Sequence, residues 1–284
     1  MKKDIKKESA SIRFLYNTIP GRMVLKLIVK PDVSKAAYYY MASPFSKWLI
    51  GNYKKKYDID MSIYKDAHYK SFNDFFTREK KEIPKISNKN ILVSPCDGFL
   101  SVYKISPESV FHVKHIDYSI QSLLENKAIA DKYKDGLCLI YRLAPHNYHR
   151  YIFIDDGEIK YKQRIDGELH CVRPIVCEKL PVYIRNSREY ALINNEQFGY
   201  TVQMEVGALL VGRICNHNKN RQVERYDEKG YFEFGGSTII MLFEKDKVQI
   251  KRSIIENTAI GKETIIHVGD KIGCKKINLY SKST

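Results

Sequence analysis

From residue 91 onward the hydrophobic positions fall in short runs rich in Val, Ile, Tyr and Phe. "NILVSPCDGFLSVYKI", "GLCLIYRLA", "RYIFIDDGEIKY", "PVYIR", "EYALIN", "YTVQMEVGALLVGRI", "VQIKRSII" and "ETIIHVGDKIG" are parted by Gly, Asp and Asn. That pattern predicts strands joined by turns, with one helix intervening over residues 119–133. Residues 1–90 follow a different period. "GRMVLKLIVKPDVSKAAYYYMASPFSKWLIGNYKKKY" places apolar residues at helical spacing with Lys or Arg between them. Pro31 breaks this run, and Ser34 is a plausible N-cap for a second helix. "SFNDFFTREKKEIP" reads as a short helix entering a loop. The expected class is α+β: a helical N-terminal part, residues 1–90, packed on a mostly antiparallel β core, residues 91–284. No internal repeat or low-complexity linker separates them.

One stretch breaks the strand pattern. In "YFEFGGSTIIMLFEK" (231–245), Gly235, Gly236, Ser237 and Thr238 interrupt the most apolar strand of the chain. Glycine weakens a strand interior and marks a bulge, a bend or a close backbone approach. "MEVGALLVGRI" has Gly207 and Gly212 in a similar setting, where close backbone packing is the expected role.

Charge alters the view of the N-terminal part. Residues 1–90 hold 20 Lys/Arg against 9 Asp/Glu, a net +11 of the chain's +15. A basic segment implies a polyanionic partner, nucleic acid or an acidic membrane surface, or else a solvated Lys-rich face. Tyr38, Tyr39, Tyr40 and Trp48 beside Lys47, Lys54, Lys55 and Lys56 suit a lipid headgroup layer; packing against the rest of the chain is the alternative. "MVLKLIVK" is far too short to span a bilayer, which takes about 20 apolar residues. "MKKDIKKESASIRF" lacks the apolar stretch of a secretory signal, so a soluble or peripheral protein is expected. Six cysteines without a CxxC fit reduced, mostly buried thiols rather than disulfides or zinc ligands.

Three polar positions in the β region have chemical potential. Asp97 in "SPCDG" sits at a strand-end turn, though an Asp-Gly turn needs no function. His149 in "RLAPHNYHRYIF", with His146 and Arg150 nearby, is a general acid or base candidate or a hydrogen-bonded structural histidine. Ser237 on its glycine turn is a nucleophile candidate, if a base and an oxyanion site accompany it, or an exposed hydroxyl on a bulge.

Together, "FNDFFTRE" (72–79), "SPCDG" (94–98), "YHRY" (148–151), "MEVGALLVGRI" (204–214) and "FEFGGSTII" (232–240) resemble the phosphatidylserine decarboxylase family, in its bacterial, pyruvoyl-dependent branch. The resemblance implies a proenzyme that cuts itself between Gly236 and Ser237, leaving residues 1–236 and 237–284 as a heterodimer of its own fragments. Ser237 becomes the pyruvoyl cofactor, through which a Schiff base forms with the primary amine of phosphatidylserine and carbon dioxide is lost. Asp97, His149 and Ser237 are the implied catalytic residues, with no metal. The implied partners are phosphatidylserine and an anionic membrane surface, with the protein peripheral on the cytoplasmic side of the cell membrane.

The chain departs from the family pattern at two positions of one loop. The family loop carries a second histidine where Ile152 stands here, so His149 with Asp97 is expected to serve self-processing, with His146 or His170 as substitute bases. Asn147 in place of Asp removes a negative charge from the loop. Lys114, Arg142 and Arg150 are possible contacts for a substrate phosphate or carboxylate. Competing readings are a pyruvoyl-dependent decarboxylase of a soluble amino acid and an uncleaved lipid-binding paralogue. Nucleic-acid binding has only the charge in its favour, since no recognised binding motif is present.

Overall fold

The computed structural model describes residues 10–66, 68–113, 115–209, 213–217, 221–235 and 237–277, without the side chains of Pro31 and Ser34. Gly236, Gly212 and Lys114, named above, lie outside the described residues.

The N-terminal helices are α1 (Ala10–Asn17), α2 (Ile19–Ile28), α3 (Pro31–Ala42), α4 (Leu49–Tyr57) and α5 (Phe72–Phe76). The strands begin with β1 (Ile91–Val93), β2 (Gly98–Lys104), β3 (Val110–Val113) and β4 (Ile116–Ser119). After α6 (Ile120–Leu124) and α7 (Lys127–Ala130) come β5 (Leu137–Leu143), β6 (Arg150–Ile152) and β7 (Gly157–Ile165). Helices α8 (Pro174–Cys177) and α9 (Val182–Arg185) precede β8 (Arg188–Asn195), β9 (Gly199–Val206), β10 (Ile214–Asn216), β11 (Gln222–Val223), β12 (Glu228–Phe232), β13 (Ser237–Phe243) and β14 (Val248–Ile250). Helix α10 (Arg252–Ala259), β15 (Thr264–Ile266) and β16 (Lys271–Lys275) complete the order.

Eight strands form one antiparallel sheet in the order β11-β7-β8-β9-β13-β5-β2-β15. Smaller sheets, β10-β12-β6 and β1-β16-β14, and the hairpin β3-β4 surround it. All seven residues of β13 are buried, because both faces of the large sheet are covered. Side chains alternate along a strand. Ile240 and Leu242 therefore join a core completed by Tyr16, Leu25 and Val29 at the N-terminal helices. Ile239, Met241 and Phe243 pack on the other face with Tyr151, Phe232, Val248 and Ile272 of the smaller sheets. The class is α+β, N-terminal helices followed by mostly antiparallel sheets.

Four local expectations are corrected. "PVYIR" is not a strand but helix α9, ended where Asn186 takes an extended conformation. "VQIKRSII" is a strand only to Ile250; Lys251 then caps α10. The helix over 119–133 is broken where Glu125 turns left-handed at φ 50°, and the Asn126 side chain caps a new start at the Ile129 N–H. Ser34 lies inside α3, whose N-cap is Lys30, because Pro31 takes the first helical position where its missing N–H does no harm.

Candidate functional site

The ladder brings three crossovers to one end of the large sheet. Ser237, the first residue of β13, stands opposite Leu143, the last of β5. On the other side of β5, Phe99 of β2 stands opposite Arg142, so Asp97 and Ser237 flank the same strand end. Two strand spacings put their backbones about 10 Å apart. The chain leaving β5 forms the turn 144–149 and then joins β12: the Phe232 N–H donates to the His149 carbonyl at 3.0 Å, and Tyr231 pairs with Arg150. The Ile152 N–H donates to the Pro95 carbonyl at 2.9 Å, closing the 94–97 crossover onto the same place.

Two glycines make this junction possible. Gly98 has φ 155°, and a Cβ there would lie 2.8 Å from the Arg142 carbonyl oxygen. Gly235, with φ 146°, takes a conformation that L side chains rarely adopt, just ahead of the strand.

His149 is fully buried beneath Phe76, with ring centroids 4.1 Å apart. Its Nδ1 lies 2.9 Å from the Asn147 carbonyl oxygen, which can only accept, so Nδ1 carries the proton and Nε2 is the bare acceptor. Burial first, and then the Arg78 charge, lower its pKa from 6.5 to about 3. The imidazole is therefore neutral across the physiological range. Among the described residues, neither its Nε2 nor the Ser237 hydroxyl makes a hydrogen bond of regular geometry, though both are buried and the Gly235 carbonyl lies close enough to the ring to act on it. Buried polar atoms are nearly always paired, and these two, one a nucleophile and one a base, come to the same end of the sheet. By strand alternation the Ser237 side chain points to the face shared by Ile239 and Met241.

Asp97 is buried, and its Oδ1 accepts from the Val268 N–H at 2.9 Å and from Lys80 Nζ at 2.8 Å. Ile152, also buried, sits among Tyr64, Tyr148 and Val268 and offers no proton acceptor. His146 stacks on Tyr57, centroids 5.4 Å apart, at the outer part of the same turn. His170 is elsewhere: Glu168 and Tyr16 hold it beyond β7, three strands from β13 in the sheet order, so it is not brought to Ser237. Arg142 is engaged by both Glu263 oxygens, and Arg150 by the Thr77 carbonyl and Glu228.

The motif "FNDFFTRE" contributes side chains whose role the sequence concealed. The Ser71 side chain caps α5 by accepting from the Asp74 N–H. Asn73 then receives the Phe234 N–H on Oδ1 at 2.9 Å and donates through Nδ2 to Glu233 at 3.4 Å. Phe72 and Phe76 meet Phe234 edge-on at 5.0 and 5.2 Å. Arg78 is buried and donates to the His146 and Asn147 carbonyls at 3.1 and 3.4 Å. One short helix and its exit thus hold the segment before Ser237, the His149 ring and the turn that carries it. The only signal was a polar residue and an Arg in an aromatic run.

Residues 72–274 match the family model for phosphatidylserine decarboxylase. The chain belongs to the phosphatidylserine decarboxylase family. It is 42% identical to phosphatidylserine decarboxylase proenzyme 2 of Clostridium acetobutylicum over 271 residues, 94% of this chain and 92% of that one. It is 39% identical to the phosphatidylserine decarboxylase proenzymes of Clostridium botulinum (strain Kyoto / Type A2), over 273 residues, and Clostridium novyi, over 272. Each of those matches covers 93% of this chain and 92% of the relative.

Proposed function

We propose that this chain cuts itself before Ser237 and that the resulting pyruvoyl group decarboxylates phosphatidylserine to phosphatidylethanolamine at a membrane surface. The observation that carries the reading is the pair of unpartnered buried groups, His149 Nε2 and Ser237 Oγ, at the end of β13 in a chain of this family. Neutral His149 is suited to take the Ser237 hydroxyl proton as Oγ adds to the Gly236 carbonyl carbon. The peptide C–N bond breaks, the Ser237 nitrogen takes up a proton, and an ester joins the two halves. Loss of the Ser237 α-proton then expels the Gly236 carboxylate, and hydrolysis of the dehydroalanine releases ammonia. Asp97, beside the same strand end, is assigned to self-processing with His149, since Ile152 has no lone pair to offer.

The residues present fit the pyruvoyl group: position 237 is buried at a strand end, with an idle hydroxyl and an idle imidazole nitrogen. Bound to the substrate amine, the group supplies an electron sink for the carboxylate that leaves. His149 then has the position and the free nitrogen to hold and return a proton, while Phe76, Phe234 and the surrounding core exclude water.

Substrate presentation is assigned to residues 1–90, with 91–284 as the decarboxylase core and α5 joining the two. Ile19, Met23, Leu27, Phe45 and Trp48 are exposed by 60–81%. They alternate with exposed Arg22, Lys26, Lys30 and Lys47. Among the described residues no helix is long and apolar enough to cross a membrane. Such a face suits peripheral docking on an anionic bilayer, on the cytoplasmic side of the cell membrane.

Intact-mass measurement under denaturing conditions tests the cleavage. Two pieces are expected, the smaller beginning at position 237 with a pyruvoyl mass, and Ser237→Ala remains whole. A full-length unmodified wild-type chain refutes self-processing. Flotation with phosphatidylserine vesicles tests the docking: the chain rises with the vesicles, and Leu27→Glu/Trp48→Glu stays in the dense fraction. Equal flotation of both overturns that assignment.

A further inference from the structure

Lys80 lies seventeen residues from Asp97 in sequence, yet its ammonium reaches the Asp97 carboxylate at 2.8 Å, with both side chains less than a tenth exposed. The same ammonium stands 4.8 Å above the Tyr148 ring, next to His149. Its backbone is fixed by a β-bridge to Tyr64, with the Lys65 and Lys81 N–H groups donating to the Glu79 and Ile63 carbonyls on either side. We infer that Lys80 is a positioning residue for self-processing, holding the Asp97 carboxylate in one orientation at the strand end. This rests on the cleavage proposed above.

The physical case has three parts. A buried carboxylate needs a hydrogen-bonded partner, and Lys80 is the cation bonded to Asp97. Second, the Lys80 ammonium and the Val268 N–H both fall on Oδ1, and Oδ2 receives neither. The carboxylate is thereby fixed in rotation with one oxygen left to act. Third, Lys80 and Arg78 leave the same short segment, and Arg78 holds the carbonyls of the His149 turn. That segment sets Asp97 and His149 relative to each other, which explains why a stretch distant in sequence from Ser237 belongs to its site.

The test follows splitting of freshly translated full-length chain as a first-order rate between pH 5.5 and 9. Wild type is compared with Lys80→Met, Lys80→Arg, Lys80→Gln, Asp97→Asn and Lys80→Met/Asp97→Asn. Lys80→Met is expected to split at least about tenfold more slowly at pH 7, because the Asp97 carboxylate loses the partner that orients it. Lys80→Arg is expected to restore most of the rate, and the double variant to be no slower than Asp97→Asn. Lys80→Gln keeps the packing stem and serves if Lys80→Met does not fold; it should also split several-fold more slowly than wild type. Splitting of Lys80→Met or Lys80→Gln within twofold of wild type overturns the inference and leaves the cleavage reading standing. A wild-type chain that stays whole overturns both. An Asp97→Asn chain that splits at the wild-type rate removes Asp97 from the reaction and this role of Lys80 with it.

Discussion

Lowering the pH should weaken this fold through His149 by an amount the structure sets. The unfolded chain binds a proton on this imidazole near the ordinary pKa of 6.5, whereas the folded chain refuses it until about 3. The unfolded state thus holds more protons in that window, and stability falls as the pH falls. The contribution is intact above 6.5 and fully lost only near 3. The slope in between is about 1.4 kcal/mol per pH unit, so going from pH 7.5 to 5 removes about 2 kcal/mol. Urea unfolding of the Ser237→Ala chain, expected to stay in one piece, measures this at the two pH values. The same experiment on Ser237→Ala/His149→Gln lacks the imidazole. Asp155, raised to about 6 by burial, works in the opposite direction because the folded state keeps its proton; it cancels in the difference. The parent is expected to lose about 2 kcal/mol more than the His149→Gln chain. Equal losses would show that the buried ring is protonated as easily as a solvated one, and the neutral-base assignment would fall with that result.

Two further substitutions probe what surrounds the site. Asn73→Ala leaves the Phe234 N–H and Glu233 without this partner and is expected to cost about 1–3 kcal/mol in thermal or urea unfolding, with slower splitting. Lys229 and Glu205 form a fully buried ion pair between the large sheet and β12. Lys229→Met alone should lose about 3–5 kcal/mol, because it strands a buried carboxylate, and Lys229→Met/Glu205→Leu should recover most of it by the same unfolding assay.

The site was legible where one residue type carries the geometry. Two glycines and a serine inside an apolar run announced a bulge, a bend or a close backbone approach, and Gly235 is found at a bend just before Ser237 opens β13. His149 was legible as a candidate, but its buried, neutral state depends on Phe76 and Arg78, which the chain supplies from seventy residues earlier. Lys80 and Asn73 were invisible for the same reason: they are ordinary polar residues until the fold sets them against Asp97 and Phe234. In the fold, long β-branched runs such as β8, β9 and β13 were plain. Short apolar runs were not, since four residues such as Val182–Arg185 fit one helical turn as well as a strand.

β13 is paired along its length with β5 and β9, while β15 pairs with β2 and β16 with β1. The segment after the proposed cut is therefore woven into two sheets whose other strands precede it. The molecule would reach its fold as one chain but thereafter persist as two. Unfolding of the mature form becomes a dissociation, and each tenfold dilution lowers its stability by about 1.4 kcal/mol. Refolding, first-order for the precursor, becomes a second-order encounter between fragments that never had to find one another. Maturation on this scaffold exchanges a reversible fold for a history-dependent one.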